Sequence, residues 1–361
     1  MTSSLFFTDC EGPLTINDNA FELTSTFIPQ GDHIFTTLSR YDDVLADIIQ
    51  TPNYQAGSTL KFIAPFLKAY NVSNQMIQTY SSKHLFLVQG TQSMLSFTQH
   101  LLPSYIVSTS YQQYLQALCT SIGFDSTHVF ATTLDLDAFS IPTTEVKQLQ
   151  QLRAEIAAFP SIEIPENAES IEEFAPSTQR MIHRLNQIFW IQLPSLISGQ
   201  LLQNITLVGG IEKAQKVNVV TSQRKSQLAN VMYVGDSITD AQALRLVREH
   251  GGLSVAFNGN RYALEQANLA IIAENNYILA LIVSLFIRHG TAYVLNLVHE
   301  DRLTNLDHID LESTLITDYR RNYPLHEPRI TVLSPDNISS ISNESTEFRR
   351  RVRGDAIGQL G

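Results

Sequence analysis

The chain has 361 residues, of which 43% are hydrophobic and 16% charged, and its formal net charge is −11. This balance indicates a globular protein with a sizeable core and excludes an intrinsically disordered chain. The acidic charge also argues against a nucleic-acid partner, which usually needs a basic face, and against an anionic membrane surface.

Short apolar runs along the chain predict the strands of a buried parallel sheet. "LFFTD" at 5–9 comes first, "YIVSTS" at 105–110 second and "VMYVGD" at 231–236 third, and "GGLSVAFNG" at 251–259 predicts a fourth strand. Helix-like periodicity follows the first three runs, and strands separated by helices favour an α/β fold. Ligands of such folds gather beyond the carboxyl ends of the strands, where these runs place their polar residues.

Two helical insertions interrupt this alternation of strands and helices. Residues 17–102 carry apolar side chains at three- and four-residue steps and are expected to form a helical cap after the first strand. Residues 141–204 are expected to form a second helical insertion around an acidic linker. The remaining segments are a core and a polar C-terminal extension that ends in a helix: 1–16, 103–140 and 205–300 for the core, and 301–361 for the extension.

The cysteine content and the apolar runs predict a cytoplasmic location. Cys10 and Cys119 are too few for a disulfide framework, so a reducing compartment is expected. The N-terminal stretch has no basic region, and its apolar run is too short for a signal peptide. The longest apolar run, "YILALIVSLFI" at 277–287, is shorter than the roughly 20 residues of a membrane span and predicts a buried helix.

Polar side chains follow three of the predicted strands and form a candidate catalytic constellation. Its members are Asp9 and Glu11 after the first strand, Ser108 and Thr109 at the end of the second, Asp236 and Asp240 in "GDSITD", and Lys213 upstream of that motif. Because parallel strands end at one edge of the sheet, these side chains are expected to converge there.

This combination of acids, hydroxyls and a lysine predicts phosphate chemistry at a metal ion. Carboxylates that lie so close cannot all remain ionised in a dry site without a cation, and Mg²⁺ suits one or two carboxylates plus a phosphate. An aspartate beside a bound phosphate can act as a covalent nucleophile. A second carboxylic acid can protonate the leaving oxygen and later deprotonate water. Ser108 and Lys213 would hold the other phosphate oxygens.

The order of "DCEGPLT", "VSTS", a downstream lysine and "GDSITD" resembles the haloacid dehalogenase superfamily of aspartate-nucleophile phosphatases. The segment from "YVGDSITD" to "ANLAI" is especially similar to the phosphoserine-phosphatase-like branch, and the chain is also similar to an archaeal group labelled hydrogenase-associated. The resemblance covers about residues 1–16, 103–138 and 205–275. It implies a Rossmann-like parallel-sheet core with a helical cap and an aspartyl-phosphate intermediate.

Carried over position by position, the resemblance implies a role for each residue of the constellation. The catalytic residues would be Asp9 as nucleophile, Glu11 as general acid/base, and Lys213, which neutralises the nucleophile and the phosphate. The phosphate would be bound by Ser108 and the adjacent Thr109. The metal ligands would be Asp9, Glu11 through its backbone carbonyl, Asp236, and Asp240, which would support either the metal or Lys213.

The sequence leaves the roles of three residues open: Lys216, Asn258 and Glu11. Lys216 could also reach the phosphate from one helical turn later, although the spacing of Lys213 to the acidic motif fits better. "FNGN" predicts a turn with Gly259 at positive φ, and Asn258 is a further candidate for phosphate binding. Glu11 stands where most of the related phosphatases carry Asp. The two acids have similar pKa values, so the acid/base role stays open to Glu11.

Two charged segments lie outside the constellation. "SRYDD" at 39–43 is expected to form a solvated helix face, with a specificity contact as the alternative. The last segment, "STEFRRRVRGDAIGQLG" at 345–361, predicts an amphipathic helix that carries a dense basic cluster. We expect this cluster to pair with acidic surface of the same chain or of a twin subunit, with anion binding as the alternative; its members are Arg349, Arg350, Arg351 and Arg353.

The expected function is therefore Mg²⁺-dependent hydrolysis of a small phosphorylated metabolite. A phosphotransferase or mutase that uses the same residues is the first alternative, because a substrate hydroxyl could replace water as the acceptor. A non-catalytic regulatory subunit on the same scaffold is the second alternative, because a fold alone does not determine function.

Overall fold

The computed structural model describes residues 4–52, 54–165, 168–304, 306, 309, 311–322 and 328–358. In these residues one sheet has the strand order β3-β2-β1-β4-β5-β6-β7. Its strands are β1 (Leu5–Thr8), β2 (Ser104–Tyr111), β3 (Val129–Thr132), β4 (Val231–Gly235), β5 (Leu253–Phe257), β6 (Leu269–Ile272) and β7 (Arg329–Val332). Neighbours pair in parallel except β6 and β7, which are antiparallel. The predicted Rossmann-like α/β class is confirmed.

Helices cover the sheet and build the cap. They are α1 (Asn19–Phe27), α2 (Gly31–Asp43), α3 (Thr59–Ala69), α4 (Asn74–Lys83), α5 (Thr91–Leu101), α6 (Gln112–Ile122), α7 (Thr143–Ala157), α8 (Pro176–Gln187), α9 (Gly199–Asn204), α10 (Gly210–Gln223), α11 (Ala241–Glu249), α12 (Arg261–Gln266), α13 (Tyr277–His299), α14 (Ser313–Asn322), α15 (Ile338–Arg353) and α16 (Asp355–Gly358).

The central strands are apolar throughout because both faces of the sheet are covered. On β1, Phe6 packs into the cluster that contains α5, α6 and α13, whereas Leu5 and Phe7 pack into the cluster that contains α10, α11 and α12. A strand buried on both sides needs a continuous apolar run, since alternate side chains point to opposite faces. This is why the four predicted strands were recognisable. The strands β3, β6 and β7 were not predicted.

The two insertions form one helical layer instead of two separate ones. Residues from α1 to α4 and from α7 to α9 share a single hydrophobic cluster. Within it, the rings of Phe62 of α3 and Phe189, just after α8, contact each other at a centroid distance of 4.4 Å and an interplanar angle of 41°. Met94 and Leu95 of α5, which lies in the range predicted for the cap, pack with α13 in the sheet cluster. The cap limits of 17–102 stay a prediction.

The apolar run near residue 280 forms the first part of α13, as predicted. By length and composition α13 could cross a membrane, which holds for no other helix among the described residues. Residues 278–286 of this helix are buried in the cluster beneath the sheet. This burial is what a core helix requires.

The C-terminal extension contains more structure than expected. It contributes α14 and the edge strand β7 before the terminal helix begins. That helix, α15, starts at Ile338, earlier than the predicted 345, and it packs Ile341 against the cluster that contains α12. The end of the predicted helix, 359–361, lies outside the described residues.

Candidate active site

The predicted site residues meet at the carboxyl edge of the sheet. Asp9 follows β1, Ser108 lies in β2 and Asp236 follows β4. These side chains, together with Glu11 and Thr109, line a cavity of about 110 Å³ between the sheet and the cap. The parallel sheet thus brings together residues that are far apart in the sequence.

Lys213 occupies the centre of the acidic group. Its Nζ donates to Asp9 Oδ2 at 2.7 Å, to Asp240 Oδ1 at 2.8 Å and to Thr239 Oγ1 at 3.0 Å, and the side chain is fully buried. Lys216 lies elsewhere, with its Nζ over the ring of Phe130. Of the two candidates, Lys213 is therefore the lysine that reaches the acids.

The pKa values of Asp9 and Lys213 are set by burial and by neighbouring charges. Burial raises the pKa of Asp9 to about 7, against the lowering effect of the Lys213 ammonium, while Asp240 and Asp236 raise the pKa further. Burial would lower the pKa of Lys213, but the carboxylates of Asp240 and Asp9 outweigh it and raise that pKa. The lysine therefore remains charged beside the expected nucleophile.

Asp240 holds Lys213 and the loop after β4 in place. Support of Lys213 is one of the two roles expected for Asp240. Its Oδ1 accepts the Lys213 bond and a 2.7 Å bond from the Tyr233 hydroxyl. Its Oδ2 accepts the backbone N–H groups of Asp236 and Ser237 at 2.9 and 3.1 Å. Both oxygens of Asp240 thus accept hydrogen bonds, as both oxygens of Asp9 do, and the metal-ligand role of Asp240 stays a prediction.

Asp9 and Asp236 provide the oxygen donors that suit a hard cation. Carboxylate oxygens of Asp9, Asp236 and Asp240 lie within 4.8 Å of one another, and all three residues are buried. The loop after β1 approaches Asp236 closely at Gly12, whose φ is +98°. A Cβ on Gly12 would lie 2.3 Å from the Asp236 Cγ. Closely spaced buried carboxylates are what Mg²⁺ requires of its protein ligands, so the residues present fit this ion.

Glu11 lies at the mouth of the same cavity. Its Oε1 accepts the backbone N–H of Asn19 at 2.7 Å, at the start of α1. Burial and the neighbouring carboxylate of Asp18 raise its pKa well above the usual range of a glutamate. A carboxyl group with a raised pKa can hold a proton near neutral pH, as a general acid must.

The end of β2 supplies hydroxyl groups to the cavity. Ser108 Oγ donates to Ser110 Oγ at 3.1 Å and accepts the Ser110 N–H at 3.2 Å. Thr109 Oγ1 is buried and has no hydrogen-bond partner among the described residues. A buried hydroxyl without a partner is unusual, and Thr109 is one of the residues that line the cavity.

The structure corrects the prediction for Asn258. Its amide nitrogen donates to the carbonyl of Ala273, and its amide oxygen accepts the N–H of Ala273, both at 2.9 Å. The side chain thus ties β5 to the loop after β6, and the structure does not place it among the phosphate-binding groups. Asn258 itself has the positive φ, 48°, that was expected at Gly259.

The cap closes the cavity with residues that were expected to be solvated. Asp42 and Asp43 of "SRYDD" are buried and line the cavity. Asp42 accepts bonds from the N–H groups of Gly57 and Thr59 at 2.9 and 3.2 Å, which fixes the turn before α3. Gly57 of this turn lies against Thr109, so this part of the cap touches the candidate site directly.

Arg349 and Arg353 are site residues that the sequence analysis did not identify as such. Arg349 Nη1 lies 2.7 Å from Asp236 Oδ2, and Arg353 Nη1 lies 3.2 Å from the same oxygen. The expected pairing with acids of the same chain is therefore present, but the acid is the predicted metal ligand instead of a surface residue. The spacing of four residues, which puts both arginines on one helix face, was the available signal.

The comparisons with known proteins show a shared fold. Neither a family model nor a curated protein matches the chain. The structure of a gene product from Archaeoglobus fulgidus is 25% identical, with 99% of each chain covered and a TM-score of 0.80. Phosphoserine phosphatase in its apo form is 12% identical over 77% of this chain and 97% of that chain, with a TM-score of 0.43.

The substrate-bound phosphoserine phosphatase complex is 11% identical over 79% of this chain and 98% of that chain, with a TM-score of 0.46. Likeness at this level carries no information about activity. The strand order and the convergence of Asp9, Lys213 and Asp236 agree with the motifs read from the sequence. The chain therefore has the fold of the Archaeoglobus fulgidus gene product, and its membership of the haloacid dehalogenase superfamily stays a prediction from the sequence motifs.

Proposed function

We propose that the protein is a Mg²⁺-dependent phosphatase that hydrolyses a small phosphomonoester through an aspartyl-phosphate on Asp9. The observation that carries this proposal is the buried contact of Asp9 with Lys213, beside the cavity that Asp9 and Asp236 line. A buried carboxylate, a fixed ammonium and a second acid at the cavity mouth are the groups that phosphoryl transfer to an aspartate requires.

Asp9 is held in an orientation suited to attack. Its Oδ2 accepts the Lys213 bond, and its Oδ1 accepts the Cys10 N–H at 2.6 Å. In the first step an Asp9 oxygen bonds to phosphorus, the bond to the leaving oxygen breaks, and Glu11 gives that oxygen its proton. In the second step Glu11 takes a proton from water, which attacks phosphorus and releases phosphate and free Asp9.

The residues that would hold the cation are Asp9 and Asp236, and the sequence resemblance adds the backbone carbonyl of Glu11. When bound, Mg²⁺ would supply positive charge to the phosphate oxygens. Ser108 and Thr109 would donate hydroxyl bonds to the same phosphate, and Lys213 would neutralise charge on the opposite side.

The cavity and the cysteines support the remaining parts of the proposal. A volume of about 110 Å³ beneath the cap suits a small phosphorylated metabolite. Cys10 and Cys119 are buried free thiols, in keeping with a cytoplasmic enzyme. The turn at Gly57 would exclude water when the substrate is bound, as caps over active sites do.

The proposal is tested with a panel of phosphorylated metabolites, purified full-length protein and Mg²⁺. Wild-type protein is expected to release inorganic phosphate from at least one of them, and Asp9→Asn from none. Wild-type protein that is folded but releases no phosphate from any member would favour the regulatory subunit. Transfer of phosphate to an added alcohol in preference to water would favour the phosphotransferase.

A further inference from the structure

The C-terminal helix α15 reaches the candidate active site through Arg349. This side chain is 2% exposed, and its Nη1 lies 2.7 Å from Asp236 Oδ2, 3.0 Å from the Asp236 carbonyl and 2.9 Å from the Asn258 carbonyl. One guanidinium nitrogen therefore ties the loop after β4 to the loop after β5. Nε of Arg349 has no partner in the described chain, so the described contacts of this guanidinium run through Nη1.

Arg353, one turn later, extends the same contact to the loop after β1. It donates to the carbonyls of Ile16 and Asn17 at 3.1 and 2.6 Å, and its Nη1 also reaches Asp236 Oδ2 at 3.2 Å. Ser345 on the same face donates to the carbonyl of Gly259 at 2.6 Å. Together these bonds attach α15 to the loops that follow three neighbouring strands.

Both arginines approach Asp236 from the Oδ2 side. The hydrogen bonds from both arginines go to Oδ2, and no hydrogen bond to Oδ1 is found among the described residues, so Oδ1 is the oxygen left for another ligand. The guanidinium of Arg349 remains charged when buried, and a buried charge is costly unless it is paired. Arg349 and Asp236 therefore hold each other in place.

We propose that Arg349, assisted by Arg353, is a positioning residue of the cation site: it clamps Oδ2 and the backbone of Asp236, so that Oδ1 is presented to the cation. The inference rests on the proposed function, because it takes Asp236 as a Mg²⁺ ligand. Groups that bond to metal-ligating carboxylates orient them, and their loss typically lowers metal affinity. The C-terminal helix is thus part of the site and not an appendage.

If Arg349 acts by orienting Asp236, its loss should weaken Mg²⁺ binding, whereas if it acts only through its charge, its loss should strengthen binding. These opposite predictions allow a clear test. The positive charge of an arginine near a bound cation is repulsive by itself, so its removal would strengthen binding if charge alone mattered. Arg349→Lys keeps the charge, but its shorter side chain does not reach the three oxygens that Nη1 contacts, so it separates orientation from charge. Arg351 offers matched controls, because it lies on the same helix with 66% of its side chain exposed.

The experiment is calorimetric titration of Mg²⁺ into the full-length protein without substrate. Arg349→Lys and Arg349→Met are expected to bind Mg²⁺ roughly 10- to 100-fold more weakly than wild type. Arg351→Lys and Arg351→Met are expected to match wild type. Unchanged affinity in the Arg349 variants, or tighter binding in Arg349→Met, would overturn the inference and leave the proposed function in place.

Two further outcomes separate the inference from the function. Wild-type protein that binds no Mg²⁺ but still hydrolyses phosphomonoesters would contradict both the inference and the proposed Mg²⁺ dependence. The proposed hydrolase activity would then stand without the metal. Should circular dichroism show that the Arg349 variants do not fold, Arg353→Gln takes their place, because this side chain is more exposed. It is expected to weaken Mg²⁺ binding several-fold, and wild-type affinity in Arg353→Gln would then contradict the inference.

Discussion

The ammonium of Lys213 lies 2.7 Å from the carboxylate of Asp9, although 204 positions separate the two residues in the chain. We expect Lys213→Ala to lower kcat by at least ~10²-fold, the usual cost of removing a fixed group that stabilises the transition state. Lys216→Ala is the matched control and should retain near-wild-type kcat, because Lys216 lies over Phe130. Equal losses in the two variants, with both proteins folded, would contradict this role for Lys213.

Glu11→Gln tests the general acid/base. The glutamine retains the size of the side chain but cannot transfer the proton, so turnover of an alkyl phosphate should fall by roughly 10²–10⁴-fold. An aryl phosphate needs little protonation of its leaving group, so it should give a burst of product followed by slow turnover. Mass spectrometry should then detect phosphorylated Asp9. Wild-type steady-state rates with both substrate types would show that Glu11 is not catalytic.

Chelation tests the metal. Excess EDTA is expected to abolish turnover, and added Mg²⁺ should restore it, because the ion would supply positive charge to the phosphate oxygens. The control is EDTA that has been saturated with Mg²⁺ beforehand, which should have no effect. Full activity in excess EDTA would show that the reaction does not need the ion.

Gly57→Ala tests the contact between the cap and the site. Gly57 has a φ of +99°, and a Cβ there would lie 2.8 Å from the Thr109 Cγ2, so the turn must move away from the cavity. We expect KM to rise as well as stability to fall by about 1 kcal/mol. Gly123→Ala is matched in backbone strain, at φ +71°, but a Cβ there meets nothing within 4 Å. This control should lose stability and keep its KM; a rise in KM for both variants would mean that the cap contact is not responsible.

Asp43→Asn tests the buried acid of the cap. Burial raises the pKa of Asp43 to about 7 in the folded chain, from an ordinary value of 3.8. The folded state thus binds a proton that the unfolded state has lost, and this stabilisation is full below about pH 4 and disappears as the pH rises through about 7. Each pKa unit corresponds to about 1.4 kcal/mol.

The free energy of unfolding, measured with urea at several pH values, should show this dependence. Asp43→Asn is expected to be more stable than wild type at pH 8, and the difference should shrink towards pH 4. Asp32→Asn, an exposed acid on the same helix, is the control and should follow the wild-type pH profile. An Asp43→Asn profile parallel to wild type would show that this carboxyl group does not titrate with a raised pKa.

The sequence alone determined the centre of the sheet and which acids and which lysine meet at its edge. β1, β2, β4 and β5 were predictable because strands that are buried on both faces need continuous apolar runs. The identities of Asp9, Glu11 and Lys213 followed from motifs that are local in the chain. The spacing of Lys213 to "GDSITD" also distinguished it from Lys216, which points to Phe130.

The tertiary structure alone decided which residues surround those groups. Arg349 and Arg351 are neighbours in one basic cluster, yet the first is buried on Asp236 and the second is exposed. The helical period separates their faces but does not say which face meets the site, 113 positions away. Likewise, Asp42 was expected in solvent and is buried. These contacts arise from the packing of distant elements, which local periodicity does not encode.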